Sequence, residues 1–401
     1  MNTKYSGSAA LSLLALLAGC GGGNSTSMPK VTPACVPSSN PEYAYMLTGY
    51  AVSMFTVDSC TGSFTATMPA TVATGYTYPQ NDNSEQMVAD PLGRFAYVAN
   101  LVSNASDLST ISMYTVNSTT GVLTPTTPAT VLTAWFPQGI AIDPLGRFVY
   151  TANTDDSSVS MFTINQSTGV LTPTTPASVS TLISGEPLSD PGFLTVDPTG
   201  SFLYVTASLS DGAAVFMYTI NQTTGVLTPT SPATVFTGGI PFQVVVAPSG
   251  KFAYVVNNLS GPGYGLGVWQ FTLNPATGVL TPNTPAAVSA GNAPTAIAVD
   301  PTSKFAYVVN RNDDTVSMYT IDTNTGNLTL NASIKNPTGT IATGNMPFRI
   351  DFDPTGKFVY VTNEQSATSI YTINGDGTLT AAGTTGGATG GLSTALTVIK
   401  Q

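Results

Sequence analysis

The chain of 401 residues is 42% hydrophobic and only 8% charged, carries a formal net charge of −10 and contains no histidine. Its 11 Lys and Arg residues are spread along the sequence, which excludes nucleic-acid binding because neutralising phosphates requires clustered cations. Without histidine, the chain cannot form a Ser-His-Asp or Cys-His nucleophile system, or a site in which histidine ligates zinc or haem. The low charge, together with 38 Gly and 29 Pro, is typical of short β-strands joined by many turns.

The N-terminus has the features of an export signal. Lys4 precedes an apolar run, Ala9–Ala18, that is too short to span a bilayer. The sequence Leu17-Ala18-Gly19-Cys20 resembles a bacterial lipobox, in which the signal is cleaved before the Cys and the thiol is acylated. We therefore predict a signal peptide at residues 1–19 and a lipid anchor on Cys20. An ordinary secretory signal is the alternative.

Residues 21–34 consist mainly of Gly, Ser, Thr and Pro, a composition typical of a flexible tether. We assign residues 20–40 to the lipidated Cys and this tether, so that membrane attachment is through the lipid. Because Gly21 rather than Asp follows Cys20, resemblance to Gram-negative lipoproteins favours the outer membrane, on its periplasmic or its outer surface.

Two further cysteines, Cys35 and Cys60, remain once Cys20 is assigned to the lipid. An even number of cysteines in an exported protein predicts a disulfide between them. Two free buried thiols are the alternative interpretation.

One sequence unit recurs along the chain: an Asp-Pro-x-Gly-like turn followed by Phe-x-Tyr. A spacing of about 53 residues suits one four-stranded propeller blade and not a solitary hairpin. The six copies begin at Asp90, Asp143, Asp197, Ala247, Asp300 and Asp353.

Each period contains four strand-like segments. Around Asp143 these are Gly139–Ile142, Phe148–Ala152, Val159–Ile164 and a segment from Val170 onward, with turn residues at every junction. Their alternation of polar and apolar residues and their β-branched side chains support strands.

The two ends of the chain complete the count of blades. Tyr43-Ala44-Tyr45 matches a second strand, yet no first strand precedes it, whereas Ala395–Val398 aligns with the first strand Ala296–Val299. The C-terminal segment therefore supplies the missing strand and closes the ring without a free edge. We predict that residues 41–401 form one all-β domain, a seven-bladed β-propeller, and that the protein is a monomer.

The sequence Tyr360-Val361-Thr362-Asn363 resembles the YVTN-repeat propellers. The longer unit Asp-Pro-x-Gly-Lys-Phe-x-Tyr-Val resembles the propeller lactonase family, which includes 6-phosphogluconolactonases and fungal muconate cyclases. The resemblance implies the propeller fold, and it associates activity with a central histidine beside arginine and glutamate. This chain lacks the histidine, so that element cannot be carried over. Variants of the motif occur at 97–100, 254–257 and 307–310.

Ligands of propellers usually bind over the central channel at the end where the innermost strands begin. We call this the upper end; the Asp-Pro turns lie at the lower end. When the innermost strands are aligned, Arg349 and Asp351 are the charged exceptions among small or neutral residues, on one side of the strand. They could bind a carboxylated or sugar-like ligand through forked hydrogen bonds. The alternative is an internal ion pair that braces the blade.

Further residues at the channel mouth complete the predicted ligand site, each with packing as the alternative role. No repeated loop has the spaced oxygen ligands of a calcium motif, so we predict no metal and no cofactor. The additional residues are Glu85, Gln86, Gln138, Gln243 and Phe348.

The primary prediction is a lipid-anchored binding or interaction module at the cell envelope, with a glycan, a small carboxylated ligand or an envelope protein as partner. The alternative is a lactonase-like hydrolase without histidine, in which Arg349 acts as an electrophilic clamp and Glu85 as base. A structural role in a surface layer is the third possibility.

Overall fold

The computed structural model describes residues 35, 38–75, 86–101, 109–183, 189–210, 212–258, 267–332, 338–385 and 393–401. The chain divides into two compact units, Met1–Val36 and Pro37–Gln401, and only Cys35 of the first is described. The signal peptide, Cys20 and most of the tether therefore lie outside the described residues. The described part contains no helix with the length and apolar character that a membrane-spanning helix needs.

Within the described residues, twenty-nine β-strands form seven antiparallel sheets, the seven blades. Blades 1 to 3 contain β1 (Glu42–Thr48), β2 (Ala51–Val57), β3 (Phe64–Ala73), β4 (Gln86–Ala89), β5 (Phe95–Asn100), β6 (Thr110–Val116), β7 (Leu123–Leu132), β8 (Pro137–Ile142), β9 (Phe148–Asn153), β10 (Ser158–Ile164) and β11 (Leu171–Ser180). Blades 4 and 5 contain β12 (Ser189–Val196), β13 (Phe202–Leu209), β14 (Gly212–Ile220), β15 (Leu227–Thr237), β16 (Pro241–Val246), β17 (Phe252–Asn257), β18 (Val268–Leu273) and β19 (Leu280–Val288). Blades 6 and 7, with the C-terminal strand, contain β20 (Pro294–Val299), β21 (Phe305–Asn310), β22 (Thr315–Ile321), β23 (Leu328–Leu330), β24 (Thr340–Ala342), β25 (Pro347–Phe352), β26 (Phe358–Asn363), β27 (Ser366–Ile373), β28 (Leu379–Thr385) and β29 (Ser393–Lys400).

The innermost strands close a ring. Each packs against the next in the order β4, β8, β12, β16, β20, β25, β29 and back to β4. Within a blade, consecutive strands pair as neighbours from the channel outward; in blade 6 the outer strand consists of two pieces, β23 and β24, that both pair with β22. The predicted seven-bladed propeller is confirmed.

The C-terminal strand completes blade 1, as predicted. β29 pairs antiparallel with β1, with Glu42 opposite Lys400 and Tyr45 opposite Thr397. The sheet order is β29-β1-β2-β3, so β29 takes the innermost place that the first strand has in every other blade. Leu396, Val398 and Ile399 are buried there.

The Phe-x-Tyr unit joins each blade to the next. The Tyr150 hydroxyl donates a hydrogen bond of 2.9 Å to the carbonyl of Gly225 in the hairpin of the following blade. Gly225 has a φ of +73°, and a Cβ there would lie 2.4 Å from Cδ1 of Phe148, so only glycine fits. The repeat is therefore an interface motif as well as a strand motif. Equivalent bonds run from Tyr45 to Gly121, Tyr97 to Gly169, Tyr204 to Gly278, Tyr254 to Gly326 and Tyr307 to Gly377.

The turn aspartates are buried and bonded within their own turns. Asp143 accepts hydrogen bonds from the backbone N–H groups of Arg147 and Phe148, and its carboxylate forms an ion pair of 2.8 Å with the Arg147 side chain. Asp90 and Arg94 form the equivalent pair at 2.6 Å. These carboxylates therefore stabilise the lower turns and hold the arginines beside them.

Both Cys35 and Cys60 are disulfide-bonded in the structure. Cys60 lies in the hairpin between β2 and β3, where the Asp58 carboxylate accepts its backbone N–H at 2.8 Å. The nearby carbonyl oxygens of Ser59 and Cys60 accept hydrogen bonds from Nζ of Lys357 in blade 7.

Candidate functional site

Three phenylalanine rings surround Arg349 at the upper part of the central channel. The guanidinium carbon lies 4.4 Å from the ring centre of Phe193, 5.0 Å from that of Phe348 and 5.7 Å from that of Phe242. The rings of Phe193 and Phe242 are tilted to each other with centres 4.7 Å apart, and Phe242 meets Phe348 edge to face at 5.9 Å. We call these four residues the arginine–phenylalanine cluster.

The cluster combines side chains of three blades. Phe193 lies on β12, Phe242 on β16, and Phe348 and Arg349 on β25. The innermost strand β20 lies between β16 and β25 in the ring and has Ala296 at the register position of Arg349. Arg349 therefore contacts rings of two other blades, Phe193 and Phe242, as well as Phe348 of its own strand.

Threonine side chains fix the backbone beneath the cluster. Thr206 Oγ1 donates to the carbonyl of Phe193 at 3.2 Å and accepts the N–H of the same residue at 3.1 Å. Thr362 Oγ1 accepts the backbone N–H of Arg349 at 3.2 Å, and Thr295 Oγ1 donates to the Phe348 carbonyl at 3.0 Å. These bonds tie Phe193, Phe348 and Arg349 to neighbouring strands, which pre-organises the site.

Arg349 is 8% exposed. Burial lowers its pKa to about 9, because the surrounding apolar rings replace water around the charged guanidinium group. The group remains protonated at neutral pH, so a positive charge is held in an environment of low polarity. There it interacts strongly with any negative charge that approaches.

Asp351 and Arg349 do not form an ion pair, so the interpretation that they brace the blade together is wrong. The ion pairs between described residues join Arg94 to Asp90, Arg147 to Asp143 and Arg311 to Glu364. The Asp351 carboxylate instead accepts hydrogen bonds from the backbone N–H groups of Phe352, at 2.8 Å, and Val398 on β29. The two side chains diverge because Arg349 turns toward the rings while Asp351 is held against β29.

Burial raises the pKa of Asp351 to about 7, and the negative charge of the neighbouring Asp353 raises it further. The two backbone hydrogen bonds act in the opposite direction and lower it. The residue nevertheless keeps partial solvent exposure. A carboxyl group with a pKa near neutrality and access to water has the properties of a general base.

The predicted glutamines have mainly structural contacts. Gln243 Oε1 accepts the backbone N–H of Ile297 on the neighbouring innermost strand at 2.9 Å, and Gln138 Oε1 accepts a 3.4 Å bond from Thr154 Oγ1. Gln86 is half-buried at the start of β4. Glu85 lies outside the described residues. Of the predicted pocket residues, the structure thus brings Phe348 and Arg349 together and gives Gln243 and Gln138 packing roles.

The sequence analysis missed an ion pair at the upper end. Arg311, directly after β21, donates from Nη2 to Glu364 Oε2 at 2.6 Å and from Nε to Oε1 at 3.2 Å. Glu364 follows β26 of the next blade, and its side chain is 4% exposed. The two residues are 53 positions apart, which is one repeat period, so they occupy equivalent positions in successive blades. Opposite charges at equivalent positions of adjacent blades were the sequence signal that could have predicted the pair.

The lower end of the channel holds a cavity of about 350 Å³, lined by turn residues such as Asp90 and Asp353 and by Thr397–Lys400. Asp90 is paired with Arg94, and Asp353 accepts hydrogen bonds from Thr355 and Phe358. The carboxylates of Asp90 and Asp353 are therefore bonded within their own turns. Among the described residues, no group of three or more Cys, Asp or Glu is placed to hold a metal ion.

The family model described as a lactonase, 7-bladed β-propeller, matches residues 36–184 and 185–390, which is most of the chain. The chain belongs to this lactonase family. The prediction of an envelope binding module as the primary function is therefore wrong, and the family match supports the alternative, a lactonase-type hydrolase.

An individual relative of the chain agrees with the family. The 6-phosphogluconolactonase of Bacillus subtilis is 26% identical over 155 residues, which are 37% of this chain and 41% of the relative. The match thus spans less than half of that protein.

Two solved structures have the same fold as this lactonase-family chain. A protein from Bacteroides uniformis with a provisional 6-phosphogluconolactonase assignment has 18% identity and a TM-score of 0.67, over 90% of this chain and 100% of that one. The periplasmic gluconolactonase of Pseudomonas aeruginosa has 18% identity and a TM-score of 0.66, over 90% of this chain and 99% of that one.

Proposed function

We propose that the protein hydrolyses a lactone in its central channel, beside the innermost strand β25. The observation that carries this proposal is the placement of Arg349 and Asp351 on the innermost strand β25 of a lactonase-family propeller, without an ion pair between them. Residues at i and i+2 of a strand start about 7 Å apart along the strand, and the two side chains diverge from there, which leaves space between them for a small ester and a water molecule.

Arg349 acts as the electrophile. Attack on the lactone carbonyl turns its oxygen into an oxyanion, and the guanidinium group stabilises this charge more strongly than it stabilises the neutral carbonyl. The phenylalanine rings keep bulk water away from the group and hold it at one position over the channel.

Asp351 acts as the general base. Its carboxylate takes a proton from a water molecule while the water oxygen bonds to the carbonyl carbon. The ring C–O bond then breaks, and the leaving alkoxide receives the proton from Asp351, which gives the open hydroxy acid. Glu85, assigned as base from the sequence, is not needed for this scheme.

Replacement of Asp351 by asparagine tests the proposal. Because asparagine cannot accept the proton, we expect kcat to fall about 100- to 10,000-fold, the usual contribution of a general base. In the unsubstituted protein, the rate should rise with pH through about 7 and then level, since only the ionised carboxylate is active. Lactone hydrolysis followed by pH-stat titration measures both effects. Asp155→Asn, at an exposed upper loop, is the matched control and should keep full activity.

A stability measurement separates loss of chemistry from loss of fold. The folded-state pKa of Asp351 is raised, so the folded protein holds this proton more tightly than the unfolded chain does. Its stabilising contribution is present below the unfolded-state pKa of about 4 and is lost as the pH rises through about 7. Asp351→Asn should therefore be at least as stable as the parent at pH 8. An active Asp351→Asn protein with an unchanged pH profile would remove Asp351 from the mechanism.

We further propose that the enzyme is attached to the outer membrane through a lipid on Cys20, on the strength of Leu17-Ala18-Gly19-Cys20. Cys20→Ala should leave the precursor uncleaved or release soluble protein, which detergent partitioning and mass spectrometry of the N-terminus would detect. Cys60→Ala is the control, because it removes a cysteine, and with it a disulfide, without changing the lipobox. Normal lipidation and partitioning of Cys20→Ala would refute the anchor.

A further inference from the structure

The cations of the described chain are separated between the two ends of the propeller. Arg94, Arg147, Lys251, Lys304 and Lys357 follow the lower turns, and Lys400 lies at the lower end of β29. At the upper end, the cations among the described residues are Arg311 and Arg349; Lys335 lies outside them.

Neither upper arginine is available for a second anion. Glu364 binds Arg311 through both carboxylate oxygens, which neutralises it in a nearly buried pair. Arg349 lies in the arginine–phenylalanine cluster, and its charge is the one assigned to the lactone carbonyl. A phosphate group on the same substrate would need further Lys, Arg or backbone N–H donors at this end.

The exposed charges at the upper end are mainly negative. Asp190 is the most informative, because it is exposed at the upper end of the innermost strand β12, three residues before Phe193 of the cluster. At about 3.3 Å per residue, it lies roughly 10 Å along the strand from the cluster, about one Debye length at 0.1 M salt. The other exposed upper aspartates are Asp155, Asp156, Asp313 and Asp314.

We infer that the substrate is an uncharged lactone, of sugar-like or apolar character, and that this channel rejects phosphorylated lactones. This inference rests on the proposed lactonase function. The aspartates around the mouth repel a dianion on approach, and the described upper residues offer no free cation in compensation. The faces of Phe193, Phe242 and Phe348 suit the C–H face of a sugar ring or an apolar ring.

A comparison of two substrates tests the inference. We expect kcat/KM for glucono-δ-lactone to exceed that for its 6-phosphate at least tenfold at low ionic strength. The ratio should decrease as salt is raised from 20 to 200 mM, because screening weakens the repulsion. A preference for the phosphorylated lactone would overturn the inference while leaving lactone hydrolysis intact.

A binding measurement keeps the inference separate from the proposed function. Gluconolactam and its 6-phosphate have no ring ester to hydrolyse, so calorimetry with these probes reports recognition alone. We expect the uncharged lactam to bind more tightly. Tighter binding of the phosphorylated lactam overturns the inference even if no lactone is hydrolysed, whereas absence of turnover with the expected binding order refutes the proposed chemistry alone.

Reversing the charge of an aspartate at the channel mouth tests whether electrostatic repulsion causes the rejection of phosphorylated lactones. Asp190→Lys should raise kcat/KM for the phosphorylated lactone about fivefold or more and change that for the uncharged lactone less than twofold. Thr119→Lys places the new lysine on an exposed lower hairpin and should leave the ratio unchanged. If the ratio of kcat/KM for the uncharged lactone to that for the phosphorylated lactone is the same in Asp190→Lys and in the parent, the electrostatic explanation is contradicted.

Discussion

Replacement of Arg349 by methionine is expected to lower kcat for lactone hydrolysis about 100- to 1000-fold, the effect of removing one oxyanion-stabilising donor. Methionine is shorter than arginine, but it is unbranched and flexible and its sulfur packs well against aromatic rings, so it should occupy part of the space among Phe193, Phe242 and Phe348. The replacement loses the cation–π attraction to the three rings, and this loss is offset by removing the cost of burying a charge. The melting temperature should therefore change little.

Arg311→Met provides the contrasting variant. It leaves the Glu364 carboxylate, 4% exposed, without its arginine, a loss of about 3 kcal/mol or more for a buried pair. The two substitutions should therefore have different effects. Arg349→Met should lose activity and keep its stability, whereas Arg311→Met should lose stability. Thermal denaturation and initial rates measured on the same preparations give both quantities. Full activity of a folded Arg349→Met protein would remove Arg349 from the mechanism.

Removal of residues 393–401 is expected to unfold the propeller or make it insoluble. The deletion takes away β29, with the buried side chains of Leu396, Val398 and Ile399, and leaves β1 with an unpaired edge. At about 2 kcal/mol for each buried aliphatic side chain, these three alone contribute on the order of 6 kcal/mol. This is comparable with the total stability of an ordinary domain, about 5–15 kcal/mol.

A circular permutant tests whether folding of the propeller requires only the presence of β29 or also its position at the C-terminus of the chain. The backbone N–H of Gln401 donates to the carbonyl of Pro41 at 3.1 Å, so residues 393–401 can be joined to Glu42 through a short turn, as in the other six blades. We expect the permutant to fold and the truncated chain to fail, as judged by circular dichroism and melting temperature. A truncated protein that melts at the parental temperature would show that β29 does not close the ring.

The sequence determined the blade and the number of blades because the signals involved are local and repeated. The turn around Asp143 is bonded within five residues, and its strands alternate in a pattern that any sheet imposes. Closure of the ring of blades was also predictable from the sequence. The segment Tyr43–Tyr45 lacks a preceding first strand, and Ala395–Val398 has no strand to pair with unless the two ends of the domain meet. The alignment likewise placed Arg349 on the channel wall, because register in a repeat is fixed by counting.

Only the tertiary structure decided which groups meet. The sequence allowed an ion pair between Arg349 and Asp351. In the structure, the Arg349 guanidinium group lies against Phe193 and Phe242 of other blades, and Asp351 is hydrogen-bonded to β29. The pairing of Arg311 with Glu364 depends in the same way on two loops one repeat apart. A strand pattern specifies the side of the sheet on which a side chain lies, but the direction of a long side chain is set by the space and charge that distant segments supply. The site was therefore decided by packing between blades, whereas the sequence of each blade determined the fold.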